Sequence, residues 1–209
     1  MLGLQHYPAF LFACAAMALT PGLDTFYILA RSGREGHATG LGAALGVNAG
    51  CLVHTAAAVL GLSALLMTSA LAFSVLKYLG AAYLIWVGLR MLLARQGQRA
   101  ATETRGRGFA AAFRQGLLTN VLNPKVALFY LAFLPQFVNL HAARAQLGLL
   151  VLGLSFVAIG TLWSLVLAVM GGQIHRLLQQ RPFIGRWMDR VCGGVLLGFG
   201  LKLAFQQRS

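Results

Sequence analysis

The sequence predicts an all-α membrane protein of six transmembrane helices, arranged as two inverted-topology repeats of three helices each. The 209 residues are 58% hydrophobic and only 10% charged, whereas soluble domains carry about 25% charged residues. Long segments, including residues 36–76 and 145–175, contain no Asp, Glu, Lys or Arg. A short segment near the start of the chain also recurs in its second half with the same residue spacing.

Six apolar segments are long enough to cross a bilayer, which takes about 20 residues of helix. The predicted spans are 6–31, 40–62, 70–92, 112–137, 146–171 and 187–206. Residues 94–111 form a polar linker rich in Arg, Gln and Thr. The linker divides the chain into a first repeat, residues 1–93, and a second repeat, residues 112–209.

Basic residues predict the orientation of the spans. Loops 1, 3 and 5 and their flanks hold most of the arginines, whereas the other side holds Arg144, Lys202 and Arg208. Because cytoplasmic loops are enriched in Lys and Arg, the basic loops and the linker are predicted to be cytoplasmic. Both termini then lie outside, unless the first span enters and leaves on one face.

The recurring segment relates the two halves. Leu19–Ile28 aligns without gaps on Leu122–Leu131, and the two share Leu, Pro, Phe and Tyr at the same offsets. Both segments lie in the first span of their half, and three spans separate them, so the copies run in opposite directions. This architecture is typical of secondary transporters.

Each copy contains a proline that is expected to break its span, Pro21 with Gly22 in the first and Pro124 in the second. A proline removes a backbone hydrogen bond within a helix. In lipid the freed carbonyls need protein or a wet cavity as partners. The breaks are therefore candidates for a binding site, although kinks that serve only packing are the alternative.

Half-helices can begin after both breaks. Asp24 or Thr25 is a possible cap for the first, and Asn123 before Pro124 for the second. The exposed N–H groups and positive dipole at such starts attract an anion such as a carboxylate.

Two charged residues lie deep in these spans. Asp24 is the only deeply placed acid, and an ionised carboxylate there costs about 2.5–3.5 kcal/mol. It suits proton exchange or the binding of an amino group, unless it is only a cap. Lys125 is expected to pair with Asp24 or to meet a substrate carboxylate, with extension to the membrane surface as the alternative. Lys77, near the start of the third span, is expected to reach the surface.

The second span has one face of glycines and another that is mildly polar. Gly42, Gly46 and Gly50 recur every four residues, which predicts close packing of another helix. Asn48 and Cys51 repeat at helical spacing with Thr55 and are candidates to line a cavity.

His54 stands close to this polar face, where it is either an ordinary hydrogen-bonded histidine or part of the binding site. The three cysteines, Cys14, Cys51 and Cys192, are expected to be buried apolar residues, with no disulfide framework and no metal site.

At these residues the chain is similar to the LysE/RhtB superfamily of bacterial amino-acid exporters. The matching segments are Ala18–Asp24, Ala44–Gly46, Gly50–His54, Leu76–Leu84, Gly88–Arg90, Gly116–Asn120, Leu122–Lys125 and Leu134–Phe137. The resemblance implies a six-segment exporter, often dimeric, that is driven by the proton gradient and needs no cofactor.

Two departures from the family pattern matter. Leu23 stands where the family usually has a second proline, so the break at Pro21–Gly22 is expected to be softer. Exporters of basic amino acids also carry intramembrane aspartates near the positions of Cys51 and Phe129, and both are absent. The resemblance therefore favours a neutral substrate of the homoserine or threonine type.

The composition excludes other classes of protein. The formal net charge is +13, but the basic residues cluster between apolar runs rather than on a soluble face. Nucleic-acid binding is therefore not expected. No catalytic pattern indicates an enzyme. An exporter of metal or other small ions on the same scaffold is the alternative to an amino-acid exporter.

Overall fold

The computed structural model describes residues 2–68, 108–140 and 142–181 continuously. Elsewhere it describes residues 75, 78, 81–82, 85–86, 89–90, 92–93, 183, 187, 190–191, 193–194, 197–198, 200–201 and 204. The predicted third and sixth spans are thus only sparsely described. Residues 94–107 of the linker, Lys77 and Cys192 lie outside the described residues.

The continuously described part is helical apart from short connections. Its helices are α1 (Tyr7–Leu19), α2 (Leu23–Glu35), α3 (His37–Thr68), α4 (Phe109–Val121), α5 (Pro124–Leu128) and α6 (Ala145–Gln180). A π-helical turn (Phe129–Phe133) and a 3₁₀ turn (Leu134–Phe137) continue from α5. No strand occurs within the described residues, where one isolated antiparallel bridge joins Leu4 to Val138.

Both proline segments lie at sharp changes of helix direction. Helix α1 ends at Leu19, α2 begins at Leu23, and the two meet at 51°. Helix α4 and the helical segment that ends at Phe137 also meet at 51°. By length and composition, α3 and α6 can each cross a membrane, and up to four described spans result if each bent pair counts as one. The predicted spans 40–62 and 146–171 lie within α3 and α6.

Helix α3 packs closely against α4 through its glycine face. A Cβ on Gly46 would overlap the carbonyl of Phe113, and one on Gly50 would lie 2.6 Å from Asn120 Oδ1. Gly42 approaches α4 in the same way. The prediction that this stripe packs a neighbouring helix is confirmed, because any side chain here would push α4 away.

Buried apolar side chains form two clusters. The first joins α1, the chain around the π-helical turn and α6, with Phe10 and Phe129 among its members. The second joins α2, α3, α4 and α6 around Tyr27. Large apolar side chains also cover the outside, where Leu60 is 72% and Leu162 67% exposed. An apolar exterior is stable against lipid and costly against water.

Candidate functional site

A cavity of about 60 Å³ lies where the two helix breaks meet α3 and α6. It has room for several water molecules. The residues that line it are Met17, Ala18, Thr20, Gly22, Asp24, Thr25, Ile28, Val47, Asn48, Cys51, Asn120, Asn123, Lys125, Val126, Phe156, Gly160, Trp163, Ser164 and Leu167. The lining includes members of both apolar clusters, so the cavity lies between them.

Most of the predicted site residues come together in this cavity. Its lining includes Gly22, Asp24, Thr25, Asn48, Asn123 and Lys125. Pro21 and His54 are not among the lining residues. Pro124 begins α5, and its side chain lies outside the described part of the chain.

Asp24 lies in the first turn of α2 and reaches across to the second break. Its Oδ2 accepts hydrogen bonds from Asn120 Nδ2 at 2.9 Å and from Asn123 Nδ2 at 3.1 Å. Its Oδ1 is buried and has no hydrogen-bond partner among the described residues. The first break is thus tied to the second through one carboxylate.

The predicted cap of α2 is wrong. The helix begins one residue before Asp24, with Gly22 in the N-cap position and no side-chain cap. Asp24 and Thr25 therefore lie inside the first turn, and the Asp24 carboxylate turns to the two asparagine amides.

The predicted cap of α5 is confirmed. Asn123 Oδ1 accepts the backbone N–H of Lys125 at 3.0 Å, and Pro124 occupies the first turn. Lys125 Nζ then donates to the carbonyls of Thr20 at 3.0 Å and Met17 at 3.4 Å. These carbonyls lie where α1 ends, so the cation meets the negative end of that helix.

Lys125 lies near enough to Asp24 for its positive charge to act on the carboxylate. Lys125 belongs to the second break, at the start of α5, and its side chain hydrogen-bonds the backbone of the first break. It therefore links the two breaks. The alternative in which it extends to the membrane surface does not fit these contacts.

The polar face of α3 is only partly directed at the cavity. Asn48 and Cys51 line it, and Asn48 Nδ2 donates to the Ala44 carbonyl at 2.7 Å. Thr55 instead contacts the hydroxyl of Tyr130 at 3.0 Å.

His54 bonds the carbonyl of Asn120 at 3.2 Å and stacks on Tyr130, with ring centroids 5.6 Å apart. This is the ordinary hydrogen-bonded histidine that the sequence left open as an alternative to a binding role. Its effect on the site passes through Asn120, whose carbonyl it holds.

Among the residues of the cavity lining that sequence reasoning missed, Asn120 and Trp163 carry polar atoms that are unpartnered within the described residues. Asn120 is fully buried, and its Oδ1 has no partner among the described residues. Trp163, on α6, carries a buried Nε1 that is unpartnered within the same described part. An amide in an apolar span was a usable signal for Asn120, since polar groups there need partners. No comparable signal marks Trp163, because an apolar span often contains an aromatic residue.

Metal ligands are not clustered in the part of the chain that the structure describes. No group of three or more His, Cys, Asp and Glu side chains lies close enough together there to hold a metal ion. Cys14 and Cys51 are free and buried.

An apolar exterior around a cavity that contains polar groups, at the junction of two broken helices, is typical of a membrane transport protein. The chain belongs to the LysE type translocator family, whose sequence profile matches residues 15–207. This confirms the resemblance seen in the sequence and places the chain in a family of membrane transporters.

Several relatives match along nearly their whole length. An uncharacterized membrane protein, YrhP, of Bacillus subtilis is 32% identical over 93% of this chain and 96% of its own. A leucine efflux protein of Klebsiella pneumoniae is 30% identical over 98% of this chain and 97% of its own. A leucine efflux protein of Salmonella choleraesuis is 28% identical over the same shares. No solved structure matches the chain significantly.

Proposed function

We propose that this chain is a secondary exporter that moves a small neutral amino acid across the bacterial inner membrane by proton antiport. The observation that carries the proposal is the cavity between the two breaks, whose lining includes Asp24 and Asn120, each with a side-chain oxygen that is unpartnered among the described residues. The relatives named leucine efflux proteins support an amino acid as the cargo.

The amino group of the substrate binds at Asp24 and Asn120. An ammonium group has donors and no acceptor. The Oδ1 atoms of these two residues are acceptors, and their side chains are already joined by the 2.9 Å bond from Asn120 Nδ2 to Asp24 Oδ2. The carboxylate adds negative charge, so the pair favours a cationic amine over a neutral donor.

Asp24 also exchanges the proton. An ionised carboxylate deep in an apolar span needs a compensating cation. When the amine leaves, a proton from the outside takes its place, and when the proton leaves inside, the next amine binds. One carboxylate that holds either a proton or an amine, and not both, couples their opposite movement.

Lys125 supplies positive charge for the substrate carboxylate. Its Nζ is held by the Thr20 carbonyl at 3.0 Å, inside the lining of the cavity. Asn123, the other residue predicted for this end, uses its Oδ1 on Lys125 and its Nδ2 on Asp24. Its role in the proposal is therefore to position both charged groups.

The side chain of the substrate is uncharged. Among the described residues Asp24 is the one carboxylate in the cavity lining, and the substrate amine occupies it. The absence of further acids favours a homoserine- or threonine-like substrate over lysine or arginine. Leucine is a second candidate, because Ile28, Val47 and Phe156 give the cavity an apolar wall and two relatives are named for leucine efflux.

The transport cycle rests on the inverted repeat, with residues 1–93 and 112–209 as halves and 94–111 as a cytoplasmic linker. The two bent helix pairs turn by the same 51°, which supports a pseudo-symmetric pair of breaks. Rocking of one half against the other would open the cavity to each side in turn. We also propose that the exporter forms a homodimer. The proton gradient drives transport, and no cofactor is part of the proposal.

Ligand binding tests the substrate class directly. A bound ligand raises the melting temperature by mass action. We expect the purified protein in detergent to be stabilised by neutral amino acids in a screen of the twenty amino acids and homoserine, with divalent metal ions in parallel. Stabilisation by a metal ion and by no amino acid would overturn the proposal in favour of an ion exporter.

Replacement of Asp24 tests the coupling. In Asp24→Asn the new amide can still accept from Asn120 and Asn123, so the fold is kept, but neither a proton nor an amine is bound as an ion. We expect proteoliposomes with this variant to lose uphill, proton-driven efflux of the amino acid found in the screen. Arg34→Gln is the matched control, because it removes an exposed charge from the same helix outside the cavity lining. Normal coupled efflux by Asp24→Asn would refute the assignment.

A further inference from the structure

The Trp163 side chain has an apolar ring that packs against other side chains and one polar atom, Nε1. Its ring packs against the apolar cluster around Tyr27 and Leu167. The residue also lines the cavity, and its Nε1 is buried with no hydrogen-bond partner among the described residues. The indole is therefore fixed by packing while its one polar atom stays unsatisfied.

An unsatisfied indole nitrogen is unfavourable in a buried place. A buried donor without a partner loses the hydrogen bond that it made to water. Phenylalanine would fill nearly the same space without that loss. The placement of a donor at this position is explained if the partner is a molecule that enters the cavity.

The unpartnered atoms of the lining residues have complementary chemistry. Asp24 Oδ1 and Asn120 Oδ1 are acceptors that belong to the broken helices, and Trp163 Nε1 is a donor on α6. The indole N–H donates only, whereas a carboxylate oxygen accepts only. A zwitterion whose amine binds the two acceptors has a carboxylate that can accept from the indole donor.

We propose, building on the exporter function proposed above, that Trp163 binds the substrate directly and that its Nε1 donates to the substrate carboxylate. Lys125 then supplies charge to that carboxylate, and Trp163 supplies a directed hydrogen bond. The bound amino acid joins α6 to the two broken helices. The site consequently requires a free carboxylate and discriminates against amines of the same shape.

The test compares ligands with and without the carboxylate. Dissociation constants are measured by calorimetry for L-leucine and L-threonine and for isoamylamine and 1-aminopropan-2-ol, which are the same molecules without the carboxylate. In Trp163→Phe we expect the amino acids to bind about 10- to 100-fold more weakly, the range for a hydrogen bond to a charged group. The affinity for the amines should be the same in variant and wild type. Trp187→Phe is the control, because Trp187 is exposed and outside the lining.

The outcomes separate this inference from the proposed function. Equal losses for amino acids and amines would assign Trp163 to packing alone and overturn the inference. Unchanged amino-acid affinity in Trp163→Phe would also overturn it while leaving the exporter proposal intact. If the wild-type protein binds none of the amino acids, the proposed function itself fails.

A spectroscopic test leaves Trp163 in place, so it does not depend on the folding of Trp163→Phe. The chain contains three tryptophans, and replacing Trp86 and Trp187 with Phe leaves Trp163 as the only indole. Ultraviolet resonance Raman spectra report whether an indole N–H is hydrogen-bonded. We expect the band of Trp163 to shift when L-leucine or L-threonine binds and not when the matching amine binds. The same band position with and without bound amino acid would contradict the proposal.

Discussion

Arg31 is the most fully buried charge that the structure describes, and its replacement by Met tests what holds α2 in place. Its side chain is 0% exposed. It donates from Nη1 to Glu35 Oε1 at 2.6 Å, from Nη2 to Gln115 Oε1 at 2.7 Å and from Nε to the Tyr27 hydroxyl at 3.2 Å. The guanidinium therefore ties α2 to α4 outside the cavity lining.

The size of the effect follows from the burial of the two partners. Removing one partner of a buried ion pair costs about 3–5 kcal/mol. Glu35 is 21% exposed and can recover some hydration, so Arg31→Met is expected at the lower end, about 3 kcal/mol. At about 2–4 °C per kcal/mol for a chain of this length, the melting temperature falls by about 6–12 °C.

Thermal unfolding in detergent, followed by tryptophan fluorescence, measures this shift. Arg34→Met is the matched control, because Arg34 is exposed on the same helix and should change little. In the double variant Arg31→Met with Glu35→Met, the loss should be smaller than the sum of the single losses, since no unpaired charge remains. A melting temperature for Arg31→Met equal to that of Arg34→Met would refute the reasoning.

Two further substitutions test the helix packing and the helix cap that position the site. Gly46→Ala should lower stability by about 1–3 kcal/mol, because the new methyl group overlaps the Phe113 carbonyl and overpacking has this range. Gly61→Ala is the control, because a Cβ at Gly61 would have no atom within 4 Å, and it should leave stability equal or higher. Equal melting temperatures for the two variants would count against close packing of α3 on α4. Asn123→Ala should cost about 1 kcal/mol through loss of the cap on Lys125. It should also weaken amino-acid binding in the calorimetric assay, since Asp24 loses one of its donors, and unchanged affinity would show that Asn123 does not position the carboxylate.

The parts of the site that could be predicted from sequence are those with a local signature. Asp24 was identified because an acid in an apolar span is costly, and Asn123 because an asparagine before a proline has the pattern of a helix cap. The assignment of Asp24 as a cap was wrong for a related reason. A local pattern cannot show that two asparagine amides from another helix compete for the carboxylate.

The roles of Asn120 and Trp163 depend on what lies opposite them. Neither residue has neighbours in the sequence that distinguish it from other polar or aromatic residues of a span. They become site residues because α4 and α6 bring their side chains to the same cavity as Asp24. Arg31 is similar, since its position near the end of a predicted span indicated a loop flank rather than a fully buried ion pair.

The sequence by itself determined that the chain is helical, that lipid surrounds it and that it belongs with the LysE type translocators. Apolar run lengths, prolines and motif spacing act over one or two turns of helix, so they can be recognised without a fold. The tertiary structure decided which polar atoms share a cavity, which of them bond each other, and which remain for a substrate. Those outcomes depend on contacts between Asp24 and residues about a hundred positions away in the chain, and only the packing of the helices sets them.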